Sequence, residues 1–282
     1  MQIIATVAEM RSLAAQFKKE GKTLALVATQ GALHTGQEAL IRAAKENPKV
    51  DLVVVSIFVN PLQFGPNEIT ANYPRSFEAD LGLCERCGAD IVFAPKAEEI
   101  YPKGSSTLVI EEVTSRLMCA PSRPTHFRGV TTLMAKLFNI VRPEFAFFGQ
   151  KALQRAVVVR RMIEDLHFGV EIVVVPTVRE PDGLAAGVRN RDFTSSQRQE
   201  ALGIYAALTR AREMAESGVR SPDRLIAEAT HVMSQRRRLR IIYVCIVDPE
   251  TMESMREVVP GRSVMAVAAW IDEIRLIDNI VL

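Results

Sequence analysis

The stretch LVVVSIFV at residues 52–59 is apolar at every position except Ser56. A run this continuous fits a parallel strand covered by helices on both faces, where neither side of the pleat meets water. It is far short of the ~20 apolar residues that a membrane-spanning helix needs. Working outward, β-branched and apolar runs predict further strands at 23–27, 91–94, 145–148 and 170–175. Helical patterns lie between them at 37–46, 75–87, 128–140 and 152–166. Strands and helices alternating in this way give an α/β class with a mostly parallel sheet.

After Pro176 the texture changes. A loop rich in Arg, Asp and Gly, REPDGLAAGVRNRD at 179–192, leads to long helical patterns at 195–217 and 221–235. Strand-like runs at 241–247, 263–269 and 274–277 close the chain. This predicts two domains, 1–177 and a smaller one at 178–282, of a 282-residue chain. A net charge of +2, with 48% hydrophobic and 24% charged residues, is the profile of a soluble globular protein. It offers no global basic field for nucleic acid. The run Arg236, Arg237, Arg238 and Arg240 reads as a solvated helix end. The N-terminal MQIIATVAEMRSL lacks the basic and apolar regions of a signal peptide, which makes the cytoplasm the expected location, with no membrane contact. Cys84 and Cys87 form a CxxC, but no second Cys or His pair lies nearby. The helical pattern around them predicts two thiols on one helix rather than a metal or redox site.

In an open α/β sheet, ligands collect outside the carboxyl ends of the strands. The loop ATQGALHTGQ at 28–37 puts Gly31 and Gly36 before a helix start, where free N–H groups and the dipole suit a phosphate. His34 and Gln37, three apart, would project together at that helix start. In the loop FVNPLQFGPNE at 58–68, Asn60 and Gln63 are amides that could hold a small hydroxy acid, or could equally serve the turn around Pro61 and Pro66. Lys151, after Gly149 in FFGQKALQR, is placed for an anion.

Taken in order, TQGALHTG, SIFVNPLQFGPNE, YPR, SRPTHFRG, KLFNIVRP, FGQK, VPTVREPDGLA, RNR, IVDPET and LIDN run from residue 29 to residue 279. Over that length the chain resembles the pantothenate synthetase (pantoate–β-alanine ligase) family. The resemblance implies a Rossmann-like nucleotidyl-transferase domain with a parallel sheet, a smaller α+β lid domain and a homodimer. It implies adenylation of pantoate by ATP with loss of pyrophosphate, then displacement of AMP by the amine of β-alanine, with Mg²⁺ accompanying the ATP. Matched position by position, it assigns His34, Lys151 and Arg189 to catalysis. It assigns Gln30, His34, Gly36, Gln37, Gly149, Lys151, Val178 and Arg189 to ATP, and Asn60, Gln63 and Gln154 to pantoate; it assigns no residue to a metal.

The departures from the family pattern gather in the same loops. Gln37 stands where the family's second His does, and Ala152 where it has an Asp. Gly187 and Val188 stand where it has two Ser residues, Arg155 where it has a Gln, and Thr125 where it has a Gly. Gln37 cannot carry the charge of an imidazolium, and Gly187 and Val188 offer no hydroxyl. Losing one preorganised donor typically costs ~10²–10³ in rate, so slowed adenylation is expected. Core strings look untouched, which reads as a site remade, by divergence or by design, on an intact scaffold. Such a site could be a feeble ligase, a non-catalytic binder, or a centre of different chemistry with Lys151 as an amine nucleophile or His34 as a base.

Overall fold

The computed structural model describes residues 1–64, 74 and 76–282; Tyr73 and Arg75 of the YPR string, and the outer end of the second loop at 65–68, lie outside these. The chain forms two compact units. One holds residues 1–112, 123–149 and 158–176, the other 113–122, 150–157 and 177–282.

The first unit is built on six parallel strands, β1 (Gln2–Ile4), β2 (Leu24–Thr29), β3 (Leu52–Ile57), β4 (Ile91–Phe93), β5 (Phe145–Gly149) and β6 (Glu171–Val175), in the order β1-β4-β3-β2-β5-β6. The parallel α/β sheet expected from the 52–59 run is what forms. Val53, Val54 and Val55 of β3 are fully buried, so both faces of the strand are covered. The strand stops at Ile57, earlier than the apolar run does, although the Phe58 N–H still bonds the Thr29 carbonyl at 3.0 Å. From β2 the chain steps outward to β3 on one side and to the later β5 on the other. The order therefore reverses between β2 and β5, and a crevice opens at such a switch point.

Among the described residues, six helices accompany these strands in the chain: α1 (Val7–Lys19), α2 (Thr35–Glu46), α3 (Phe77–Arg86), α4 (Ala97–Ile100), α5 (His126–Val141) and α6 (Leu153–Asp165). The strand β1 and the helix α1 were not marked by the sequence pattern; Gln2 and Ile3 are exposed, which leaves β1 no apolar run to announce it. Cys84 and Cys87 sit on α3 and at its C-cap, in the apolar cluster with Val53, Val55 and Val92. Burial pushes the Cys84 thiol up to about 12. The helix α5 is buried nearly all round. Its Gly129 lies so close to the 3₁₀ turn at Pro61–Gln63 that a Cβ there would stand 2.5 Å from the Leu62 carbonyl carbon.

The second unit carries an antiparallel sheet, β7 (Leu239–Val247), β8 (Val264–Ile271) and β9 (Ile274–Val281), with helices α7 (Ser195–Glu216) and α8 (Pro222–Ser234). Small residues on α7 (Ala201, Ala207 and Ala211) share one core with Leu225 and Met233 of α8 and with Met265, Val267 and Ala269 of β8. The arginine run is not a helix end. α8 stops at Ser234, Arg236–Arg238 make the turn that follows it, and Arg240 is already in β7. There Arg238 pairs with Asp272 at 2.9 Å. Among the described residues no helix is long and apolar enough to cross a membrane.

A methyl group at residue 129 has only backbone to push against, and backbone yields less than a side chain does. Gly129→Ala is therefore expected to lower the unfolding free energy by about 3 kcal/mol, at the upper end of overpacking costs. Urea denaturation followed by circular dichroism measures this; an unchanged midpoint would show that the 3₁₀ turn can retreat.

Candidate active site

In the first unit the loop after β2 is shaped by a carboxylate that the sequence pattern does not single out. Asp80, 3% exposed in the first turn of α3, accepts the N–H groups of Ala32 and Leu33, each at 2.8 Å, and the Ser76 hydroxyl at 3.1 Å. To reach it the backbone turns left-handed at Gly31 (φ 82°) and Ala32 (φ 49°). A side chain at 31 would meet both the strain of that φ and the Asp80 oxygen, which lies 3.1 Å from where its Cβ would stand. The signal that could have found Asp80 is an acidic residue in the first turn of a helix, where a carboxylate is favoured by the dipole.

The chain then enters α2 through His34, the N-cap. Its Nδ1 accepts the Gly36 N–H at 3.1 Å, while the Gln37 Oε1 accepts the His34 N–H at 3.1 Å. His34 and Gln37 are brought together, as their spacing suggested, but as a capping box. The residue standing in place of the family's second His thus closes the helix start.

Gln30 and Gln63 also meet. The Gln30 Nε2 donates to the Gln63 Oε1 at 2.6 Å, and the backbone carbonyl of Gln63 accepts from Arg123 Nη2 at 3.2 Å, with His126 Nδ1 at 3.3 Å from it. The strings NPLQ and SRPTHF, distant in sequence, are joined at that carbonyl. Asn60 is fully buried. Its Nδ2 donates to the Gly129 carbonyl at 2.8 Å; its Oδ1 accepts the Tyr101 hydroxyl at 2.9 Å and the Leu62 N–H at 3.2 Å. Both lone pairs of that oxygen are occupied, so Asn60 caps the Pro61–Gln63 turn and ties it to α5. Gly149 ends β5, on the other side of the switch point from Gln30.

The second unit carries its own charged cluster. Arg179 holds Asp278 of β9 through two bonds, 2.7 and 3.1 Å, and lies over the Tyr205 ring at 4.2 Å. This pins the hairpin in which the Val178 carbonyl accepts the Ala186 N–H at 2.9 Å. Gly183, at its tip, has φ 92° and no room for a Cβ beside Tyr205. The neighbouring Asn279 donates its Nδ2 to the carbonyls of Gln150 (2.8 Å) and Lys151 (3.3 Å). With backbone and hairpin both fixed, the Lys151 amine donates to the Ala185 carbonyl at 3.2 Å and the Ala186 carbonyl at 2.8 Å. Burial pushes its pKa down to about 8, with Asp278 opposing and Arg179 reinforcing that shift. A Cβ on Gly187 would lie 2.8 Å from the amine, so the missing serine is also the space that the Lys151 head occupies.

Arg189, in the 3₁₀ turn Val188–Asp192, is half exposed and pairs with Asp192 at 3.7 Å. Gln154 is buried and wholly engaged with backbone. It accepts from the Cys119 N–H at 3.2 Å and donates to the carbonyls of Thr114 (3.1 Å) and Leu117 (2.7 Å). It therefore holds the 113–122 segment in this unit. Sequence reasoning nominated neither Arg179 nor Asp278, although both stand in the strings VPTVREPDGLA and LIDN.

A family model for pantoate-beta-alanine ligase matches residues 2–281. The chain is 44% identical over 282 residues to the pantothenate synthetase of Moorella thermoacetica, covering 100% of this chain and 99% of that protein. It is 47% identical to the one from Heliobacterium modesticaldum, covering 100% and 99%. A crystal structure of pantothenate synthetase from Thermus thermophilus superposes with a TM-score of 0.93 at 40% identity, covering 99% of each chain. The pantoate-beta-alanine ligase of Francisella tularensis, solved with beta-gamma ATP and beta-alanine, gives 0.81 at 28% identity, covering 100% of this chain and 97% of that one. The chain belongs to the pantoate–β-alanine ligase family. At these identities more than half of all positions differ, so the differences from these relatives extend far beyond the ligand loops.

The Lys151 amine has a signature in stability. An unfolded lysine titrates near 10.5, whereas this one titrates near 8. Between those values the unfolded chain keeps a proton that the folded chain has released, so this group's contribution to stability rises with pH across that window and is flat below it. Relative to Lys151→Met, the wild type should gain up to about 3 kcal/mol between pH 7.5 and 10.5, as a shift of this size implies. Paired urea titrations measure it, and parallel curves for the two proteins would refute a desolvated amine.

Proposed function

We propose that the chain is a pantoate–β-alanine ligase that adenylates pantoate with ATP and then transfers the pantoyl group to β-alanine. The observation that carries this reading is the family match over residues 2–281, which leaves no part of the chain to a different module. In the first step a pantoate carboxylate oxygen attacks the α-phosphorus of ATP and pyrophosphate leaves. In the second the β-alanine amine attacks the acyl carbon and AMP leaves.

Each unit would bring its own groups. In the first, the α2 N-terminus capped by His34 and Gln37 would receive phosphate oxygens together with the Gly36 N–H. Gln30 would approach the nucleotide as well, while Gln63 presents its amide to the hydroxy acid from a position fixed by Gln30. Gly149, without a Cβ, leaves the end of β5 open. In the second, Lys151 would place positive charge on the transferring phosphates, beside the Val178–Ala186 hairpin, and Arg189 would leave Asp192 to add a second charge. The amides of Asn60 and Gln154 are already engaged with backbone, so their part in holding pantoate would be to fix the surfaces that touch it. Among the described residues no cluster of three or more His, Cys, Asp or Glu is set for a metal ion. Mg²⁺, which the family resemblance implies, would arrive as the ATP complex, held by phosphate oxygens. The family resemblance supports a homodimer.

The substituted positions point to slow adenylation rather than to another chemistry. Gln37 keeps the hydrogen bonding of the helix start but carries no charge, and Gly187 gives its space to the Lys151 head. The Lys151 amine spends its donors on two carbonyls, which opposes a role as a free nucleophile.

Pyrophosphate release on mixing ATP and pantoate, before β-alanine is added, tests the reading; no release from wild type at any enzyme concentration would overturn it. Because Lys151 loses its proton near pH 8, kcat/KM for ATP should fall above that pH. Lys151→Arg, whose charge persists, should keep a flat profile there, and Lys151→Met should lose ~10²–10³ in rate at pH 7. The combined variant Gln37→His, Ala152→Asp, Gly187→Ser and Val188→Ser is expected to release pyrophosphate at least about tenfold faster. An equal rate would remove these four positions as the cause.

A further inference from the structure

We infer that Asn190 is a positioning residue for Lys151, its side-chain oxygen facing the lysine head, holding it in place and favouring its charged form. What the charge is for rests on the ligase reading; the contact itself stands on geometry within the second unit. Asn190 lies in the 3₁₀ turn Val188–Asp192 and is 7% exposed. Its Nδ2 commits both donors, to Glu180 Oε1 at 2.5 Å and to the Ala185 carbonyl at 3.0 Å. Turning the amide over would set its oxygen against those two acceptors, so the orientation is fixed. The Oδ1 on its other side is buried and has no donor among the described residues. Leaving a buried acceptor unpaired is costly, and in a native fold it calls for a reason.

That oxygen borders the space over Gly187. With φ −166° the Gly187 backbone is extended, open to any residue, so glycine supplies room there and not shape. An added Cβ would stand 2.8 Å from Lys151 Nζ and 3.2 Å from Asn190 Oδ1, and the next atom is Asn190 Cγ at 3.7 Å. Amine and amide oxygen therefore line one small volume. A charged lysine has three N–H donors, and Lys151 commits two, to the Ala185 and Ala186 carbonyls. With Asn190 Oδ1, the oxygens around the head match those donors in number. The Ala185 carbonyl accepts from both side chains, which couples their positions.

The formal charges that act on the amine are Asp278 of β9, with Arg179 and Glu180 of the hairpin. Both carboxylates are bonded elsewhere, Asp278 to Arg179, and Glu180 to Arg198 and Asn190. Among the described residues, the oxygens that meet the head carry no charge: two backbone carbonyls and, across the Gly187 space, one amide. An amide dipole with its negative end toward an ammonium favours the protonated form, against the push of burial. Being neutral, it also yields a donor to a phosphate oxygen more readily than a carboxylate would, since bonds between two charged partners are the stronger ones.

Heteronuclear NMR of the ligand-free full chain with labelled lysine side chains reads the Lys151 titration independently of any enzyme assay; Lys151→Arg assigns the resonance by deleting it. Wild type should titrate near 8. Asn190→Leu should lower that midpoint by about one pH unit, as the loss of one interaction with a charged group implies. Asn190→Asp combined with Glu180→Gln exchanges the two polarities and keeps the wild-type net charge, moving only the place of the carboxylate. Its midpoint should rise by about one pH unit above wild type. In pyrophosphate release, the fall of kcat/KM for ATP should move down the pH scale with Asn190→Leu and up with the exchanged pair. A merely structural role would slow both variants without driving their midpoints apart, so unchanged midpoints, or two shifts of one sign, overturn the proposal. Should Asn190→Leu fail to fold, the exchanged pair decides alone, and a midpoint at or below wild type overturns it. Opposed shifts in a chain that releases no pyrophosphate overturn the ligase reading and uphold the contact.

Discussion

The loop that leaves β2 bends left-handed at two successive residues, and one of them, Ala32, has a side chain that disfavours it. What holds it there is the Asp80 carboxylate, buried at 3% exposure and bonded to two consecutive N–H groups at 2.8 Å. Everything downstream inherits that geometry: the position of His34 as N-cap, the back-bond from Gln37, and the direction in which α2 presents its free N–H groups. The second unit solves a similar problem by similar means. There the Asp278 carboxylate receives Arg179 and so fixes the hairpin whose carbonyls hold the Lys151 amine. In both units a buried carboxylate satisfies donors that would be costly to leave unpaired, and a ligand-facing group is set in place as a by-product.

The amides show how closely recognition and architecture are interwoven. Asn60 ties a 3₁₀ turn to α5 and Tyr101; Gln154 ties the 113–122 segment to the start of α6. Truncating either would leave buried backbone groups without partners, a cost of about 1–3 kcal/mol for each group. Loss of activity on such a truncation would therefore not separate contact with substrate from loss of shape. Gln63 differs: its own carbonyl is the meeting point of Arg123 and His126, while its side chain is held by one bond from Gln30.

Most of the fold was legible in the sequence because the central strands β2 to β5 are buried on both faces and so read as unbroken apolar runs. The run at 52–59 gave β3, and the helices α7 and α8 followed from their helical pattern; the structure adds the Thr194 and Ser221 N-caps that start them. The strand β1 was not legible, since three residues with two exposed leave no pattern. At the site, the pairing of His34 with Gln37 followed from spacing along one helix start. The reach of Asp80 to Ala32, and of Arg179 to Asp278, spans 48 and 99 residues, and no local periodicity encodes such distances.

By itself the sequence determined the family, the parallel sheet and the chemical types present in the ligand loops, because local patterning and motif order are written in consecutive residues. Tertiary structure alone decided what those side chains are engaged in. It made Gln37 a capping residue, turned Asn60 and Gln154 into ties for backbone, and gave the space over Gly187 to a desolvated lysine. It also left Leu108 and Ile110 exposed while the Val109 N–H and carbonyl turn to the threonines of α5. The reason is common to all of these. Whether a polar group is free for a ligand, or a peptide group for a neighbour, depends on which distant atoms the fold has already brought within hydrogen-bonding distance.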